Sequence, residues 1–208
     1  MRCSKPLVAI TIATALLSGC TNTSTLPEAT TRASLTTDVN NYQYLIGPGD
    51  RLNIFVWRNP ELSTQVVVRP DGKVTTSLVE DLDVAGRTPT MLAREIEDAL
   101  STYVNSPRVT VSVNNFSGPL SEQVRVIGEA SQPRAVNYSE HMTLLDLMIS
   151  VGGLTNFADG NGAKLIRVVN GKKRVFELNI DDLIRDGDIT ENVDMLPGDI
   201  VIIPEAWF

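Results

Sequence analysis

The chain has 208 residues, 42% hydrophobic and 21% charged, with 25 acidic against 18 basic side chains and a formal charge of −7 at pH 7. Its length suits one large domain or two small ones with modest cores. Its acidity makes it a poor candidate for binding nucleic acid or for gripping an anionic polymer by charge, and one histidine with two cysteines cannot build a His-rich or Cys-rich metal cluster.

At the N-terminus, Arg2 and Lys5 precede an apolar run from Leu7 to Leu17. The run is too short to anchor across a bilayer and has the length of a signal-peptide core. It ends in Leu17-Ser18-Gly19-Cys20, which resembles the bacterial lipobox. There the small residues admit the chain to a peptidase, and the Cys20 sulfur takes the lipid. The alternative is an ordinary secretory signal with a chance cysteine. Removal of residues 1–19 would leave 189 residues, discard Cys3, Arg2 and Lys5, and move the formal charge from −7 to −9. Thr21 rather than Asp follows Cys20, which under the sorting rule for such lipoproteins points to the outer membrane. Residues 20–41 are rich in Thr, Ser, Asn and Ala, and read as a flexible tether.

From Tyr42 the pattern is of short strands. Tyr42–Ile46 and Leu52–Trp57 are apolar runs separated by Gly47-Pro48-Gly49-Asp50, and Leu52, Ile54 and Val56 alternate with polar or aromatic neighbours at strand period. Pro70-Asp71-Gly72 marks a turn between two β-rich runs, and residues 80–86 hold another short strand. Leu92, Ile96, Leu100 and Tyr103 then recur at helical spacing, with Thr88 as N-cap and Pro89 as first residue, predicting a helix over 89–103. Pro107 ends it, and Val109, Val111 and Val113 resume alternation. These elements form a β-rich unit over 42–117 with one helix laid on a sheet.

A second unit is expected over 118–208, beginning near Gly118-Pro119. Residues 123–130 and 134–138 read as strands. In the segment that follows, Thr143 caps a helix, Asp146 completes a capping box, and Gly152-Gly153 ends it, with Leu144, Leu147, Met148 and Val151 as the apolar face. Asn170-Gly171 between two strand runs is a hairpin signal, and Pro197-Gly198-Asp199 precedes a last strand. The fold class is α+β.

No catalytic set stands out. His141 beside a helix start reads as a surface or capping residue. Asp159-Gly160-Asn161-Gly162 and Asp186-Gly187-Asp188 faintly resemble calcium loops but lack the register and terminal Glu of an EF-hand. The two Pro-Gly-Asp phrases lack the Gly-Lys-Ser/Thr ending of a phosphate loop and precede strands rather than helices, so they read as turns. The acidic pairs Glu80/Asp81, Glu95/Glu97 and Asp181/Asp182 have the spacing of solvated faces, although a glycosidase need not keep its carboxylates near in sequence.

Residues 44–63 and 68–113 closely resemble the polysaccharide export domain of Wza-type outer-membrane polysaccharide export lipoproteins. Residues 124–173 and 192–204 are similar to the soluble ligand-binding β-grasp (SLBB) domain that follows it in that family, in a style close to export proteins of exosortase-associated exopolysaccharide clusters. The resemblance implies a non-enzymatic, lipid-anchored component at the periplasmic face of the outer membrane, without a cofactor. It also implies a ring-like homo-oligomer of about eight subunits that conducts a polysaccharide substrate. Implied partners are an inner-membrane polysaccharide co-polymerase and an outer-membrane pore. Long family members continue into an amphipathic helix that crosses the membrane, whereas this sequence stops at Phe208, far short of the roughly 20 residues a spanning helix needs. A short form docking beneath a separate β-barrel is therefore expected, with Trp207 and Phe208 at a membrane interface or partner surface, the alternative for that pair being ordinary packing. The rival readings are a periplasmic polysaccharide-modifying hydrolase and a monomeric glycan-binding adaptor.

Overall fold

The computed structural model describes Leu26, Ala29, Thr30 and residues 32–207. In chain order, β1 (Arg51–Val56), β2 (Thr64–Val67), β3 (Lys73–Val74), β4 (Leu82–Asp83), α1 (Pro89–Leu100) and β5 (Val109–Asn115) come first. Period-two alternation decides the central strand: Leu52, Ile54 and Val56 are buried, while Arg51 and Phe55 face outward. β1 pairs antiparallel with both neighbours, giving the order β2-β1-β5.

α1 lies over the buried side of this sheet. The Thr88 hydroxyl accepts the Met91 amide at 3.2 Å, Pro89 occupies the first turn, and Leu92, Ala93, Ile96 and Leu100 are buried. Each of the larger side chains contributes roughly 1.5–3 kcal/mol by leaving water. The helix is also tied sideways to β5, since Glu97 accepts the Val109 amide at 2.9 Å and Arg94 donates to the Val109 carbonyl at 3.0 Å.

Two local expectations change. The helix stops at Leu100 rather than 103, because the Ser101 hydroxyl takes the Asp98 carbonyl at 2.7 Å and the Tyr103 amide closes on Leu100 at 2.9 Å. Tyr103 is consequently exposed. Residues 42–46 form no strand, although Ile46 enters the core. The Pro70-Asp71-Gly72 turn joins strands of different sheets, as β2 pairs with β1 and β3 with β4.

The remaining elements are β6 (Gln123–Gly128), β7 (Arg134–Asn137), α2 (Leu144–Ser150), β8 (Ala163–Val169), β9 (Lys172–Leu178) and β10 (Ile200–Ile203). Their sheet runs β7-β6-β10-β8-β9, with β10 parallel to β6 and antiparallel to β8. First and last strands side by side at the centre, with one helix packed in the same core, is the β-grasp arrangement. α2 is held by the capping box: Thr143 accepts the Asp146 amide at 3.3 Å and Asp146 accepts the Thr143 amide at 3.0 Å. The β8–β9 hairpin turns through Asn170 (φ 53°) and Gly171 (φ 72°), the paired positive φ values of a type I′ turn.

Buried apolar side chains form two clusters, one from Ile46 to Val111 and one from Val124 to Ile203. Part of the expected tether packs against the second. Val39 and Tyr42 contact that cluster, and the Tyr42 ring meets Tyr138 edge-on at 5.0 Å. Ser34, Leu35 and Thr36 all donate to the carboxylate of Glu122, which is 5% exposed. Within the expected tether, residues 34–36 thus place polar groups on a buried carboxylate 86 to 88 positions away.

Candidate functional site

The two Pro-Gly-Asp phrases build the same local device. At each, the aspartate amide closes on the carbonyl three residues back, Asp50 to Gly47 and Asp199 to Leu196, both at 3.2 Å. Proline sets the first inner position, and Gly49 (φ 92°) and Gly198 (φ 88°) take the left-handed second position of a type II turn. Each carboxylate then bends back to accept the amide of the turn's first residue, Gly47 at 2.9 Å and Leu196 at 2.7 Å. Both launch a strand, as their placement in the sequence implies.

The carboxylates do more than close turns, and this is not visible in the phrase itself. Asp50, fully buried, also accepts the Ser117 and Gly118 amides at 2.6 and 2.9 Å and the Tyr44 hydroxyl at 2.6 Å. Burial first, and then that hydrogen bond, push the Tyr44 phenol well above its ordinary pKa. A side chain at Gly47 would meet the Gly118 carbonyl carbon at 2.0 Å, so the turn and the chain leaving β5 touch backbone to backbone. Asp199, 1% exposed, takes both nitrogens of an Arg167 fork at 2.9 and 2.6 Å. The only sequence signal for these roles is the repeated acid at a fixed place in the phrase.

The expected site residues fare differently. Cys20 and Phe208 lie outside the described residues. Trp207 is fully exposed at the end of a segment pinned by the Ala206 amide to the Phe157 carbonyl at 2.8 Å. The His141 side chain is largely exposed, at a positive φ of 62°. In the first calcium-like loop the acids cap backbone, Asp159 accepting from Gly162 and Asp181 from Gly160, each at 2.9 Å. In the second, Asp188 accepts the Thr190 hydroxyl and amide, which hold its pKa below the usual carboxylate value. Among the described residues no group of three or more His, Cys, Asp or Glu is placed to hold a metal. Glu95 faces Arg87, Glu97 faces Arg94, Asp81 faces Arg69 and Asp181 faces Arg185. These acids are thus engaged by arginine rather than gathered in a cleft. No helix among the described residues is long and apolar enough to cross a membrane.

Residues 38–114 match the family described as polysaccharide biosynthesis/export protein, and residues 122–203 match the SLBB domain. The EPS I polysaccharide export outer membrane protein EpsA of Ralstonia solanacearum is 31% identical, over 76% of this chain and 47% of that protein. The capsule polysaccharide export protein BexD of Haemophilus influenzae is 27% identical, over 77% and 43%. The chain thus spans about half the length of the curated relatives it matches. With both domain types present in that order on an α+β frame, the chain belongs to the Wza-type family of bacterial polysaccharide export proteins.

Proposed function

We propose that the protein is a non-enzymatic component of a polysaccharide export apparatus at the outer membrane. The observation that carries this reading is the export domain at 38–114 followed by the SLBB domain at 122–203, the order expected of a translocon subunit. The names of its relatives, outer membrane and capsule export proteins, point the same way. Deleting the gene should abolish extracellular polysaccharide while synthesis continues and polymer or precursor accumulates inside the cell. Normal surface polymer in the deletion strain would refute the proposal, and cleavage of that polymer by the purified protein would favour a hydrolase instead.

Within this reading Cys20 carries the lipid, holding the folded part at the periplasmic face. Two or three acyl chains suffice for a durable anchor. Cys20→Ala should release the protein into the soluble periplasmic fraction. Copies assemble into a ring-like conduit, a closed cyclic oligomer of about eight, between an inner-membrane co-polymerase and an outer-membrane pore. A strictly monomeric mass for the detergent-extracted protein would exclude the ring and leave the adaptor. Full exposure of Trp207 supports contact with a membrane interface or a partner. Unchanged assembly and export after deletion of Trp207 and Phe208 would remove that role.

A further inference from the structure

One face of the first sheet covers its core, and the other is bare. Along β1, Arg51, Asn53 and Phe55 stand on the bare side, and Trp57 continues the row, its ring edge-on to Phe55 with centroids 6.4 Å apart. Phe55 is 46% exposed and Trp57 59%. Neighbouring strands add hydrogen-bonding groups in register: Thr110 opposite Phe55, and Ser112 and Gln65 either side of Asn53. The Trp57 amide donates to the Arg108 carbonyl at 2.8 Å, extending the ladder one row and setting Arg108 beside Trp57. The row from Arg51 to Trp57 is about 20 Å long, at ~3.4 Å per residue.

The charge on this face is one-sided. No Asp or Glu occupies any of these positions, on a chain whose formal charge is −7. Arg69, Arg87, Arg94, Arg167 and Arg185 each face a carboxylate. Arg51 and Arg108 along this row, and Arg58 in the turn that follows Trp57, are exposed, and no ion pair joins them to any described residue. The sheet face therefore locally reverses the sign of the whole chain.

We infer that this face binds a strand of anionic polysaccharide, one whose sugars carry carboxylate or phosphate groups. Choosing a polysaccharide as the occupant rests on the export reading; the sign comes from the arginines. Guanidinium forks match carboxylate and phosphate geometry. The flat aromatic rings offer an apolar surface to the C–H faces of sugars, and Asn53, Gln65, Thr110 and Ser112 offer partners for hydroxyls. The acidic surface of a second copy has a complementary sign, but would not by itself call for a row of neutral hydrogen-bonding side chains beside an aromatic pair.

The test uses the full mature protein in detergent, with Trp207→Phe so that Trp57 is the sole tryptophan and can be excited selectively over the four tyrosines. Polygalacturonate fragments, phosphomannan and neutral dextran are the probes. Polygalacturonate or phosphomannan should shift Trp57 emission, more weakly as salt screens the arginines, and dextran should not. The triple variant Arg51→Gln/Arg58→Gln/Arg108→Gln should weaken binding about tenfold or more, the loss expected for several charge-assisted contacts, with an unchanged melting temperature. Absence of binding to both anionic probes, equal binding of dextran, or undiminished binding by the triple variant would overturn the assignment. So would loss of the oligomer in the triple variant, which would give the face to a second copy. If gene deletion blocks export but the triple variant neither binds less nor exports less, the surface assignment falls while the export reading stands.

Discussion

The Asp50 carboxylate accepts the amide of Gly118 at 2.9 Å across 68 positions, fastening the turn that opens β1 to the chain that leaves β5. With the Tyr44 hydroxyl and the Gly47 and Ser117 amides, four donors converge on its two oxygens. Asp50→Asn keeps the shape but has one acceptor oxygen and turns an NH2 toward donors. A loss of about 3 kcal/mol is expected, since buried donors left unmatched cost about 1–3 kcal/mol each. Urea unfolding measures it. The control is Asp71→Asn in the exposed Pro70-Asp71-Gly72 turn, which should change stability by less than about 0.5 kcal/mol. Equal effects at the two positions would show that Asp50 is only a turn residue.

Arg167 and Asp199 join β8 to the second Pro-Gly-Asp turn by a two-pronged contact in which the acid is 1% exposed. Arg167→Met leaves that charge with the Leu196 amide alone on its oxygens. The expected cost is about 3–5 kcal/mol, the usual penalty for removing one partner of a buried pair. Adding Asp199→Asn should restore part of it, because a neutral amide can still accept from Leu196. A double-mutant cycle by thermal unfolding reads the coupling. Strict additivity of the two substitutions would contradict the pairing.

What could be read from the sequence is what the chain decides locally. The Thr88 cap, the Thr143/Asp146 box, the Asn170-Gly171 hairpin and the alternation of Leu52, Ile54 and Val56 all depend on neighbours within four residues. Tyr103 misled because its spacing fits a helix, whereas the Ser101 hydroxyl closes the end first. Nothing local placed β10 between β6 and β8, or told which side of β1 would stay bare. The long-range partners of Asp50, Asp199 and Glu122, namely Ser117 and Gly118, Arg167, and Ser34 to Thr36, lie tens of residues away, so a turn signal and a polar linker were legible but their anchoring was not.

The segment before Tyr42 should behave as a docked strap. Ser34→Ala/Thr36→Ala removes two hydroxyl donors from Glu122, leaving the Leu35 amide and the Ser121 hydroxyl. Under-satisfying a buried carboxylate costs about 1–3 kcal/mol, and release of the strap is the cheapest relief. Trypsin should then cut after Arg32 faster than in the parent, and the Leu35 amide should exchange faster, while β10 amides keep their protection. Unaltered cleavage and exchange would show that residues 34–36 are not held through Glu122.

Alkaline pH should loosen the same region. Tyr44 is half-buried with its hydroxyl on Asp50, and burial first, then that bond and the carboxylate charge, raise its pKa above the ordinary 10.0. Tyr42 and Tyr138 are raised too, burial again being the main cause. A raised folded pKa means that the stabilisation is complete below the unfolded value and is lost as pH rises, because the unfolded phenol ionises first. The melting temperature should therefore hold across neutral pH and fall above about pH 10. Tyr44→Phe should be less stable at pH 7 by about 1 kcal/mol, one hydrogen bond, yet decline less steeply above pH 10. Calorimetry across that range checks both. A Phe variant with the parent's alkaline slope would mean that Tyr44 contributes nothing to it.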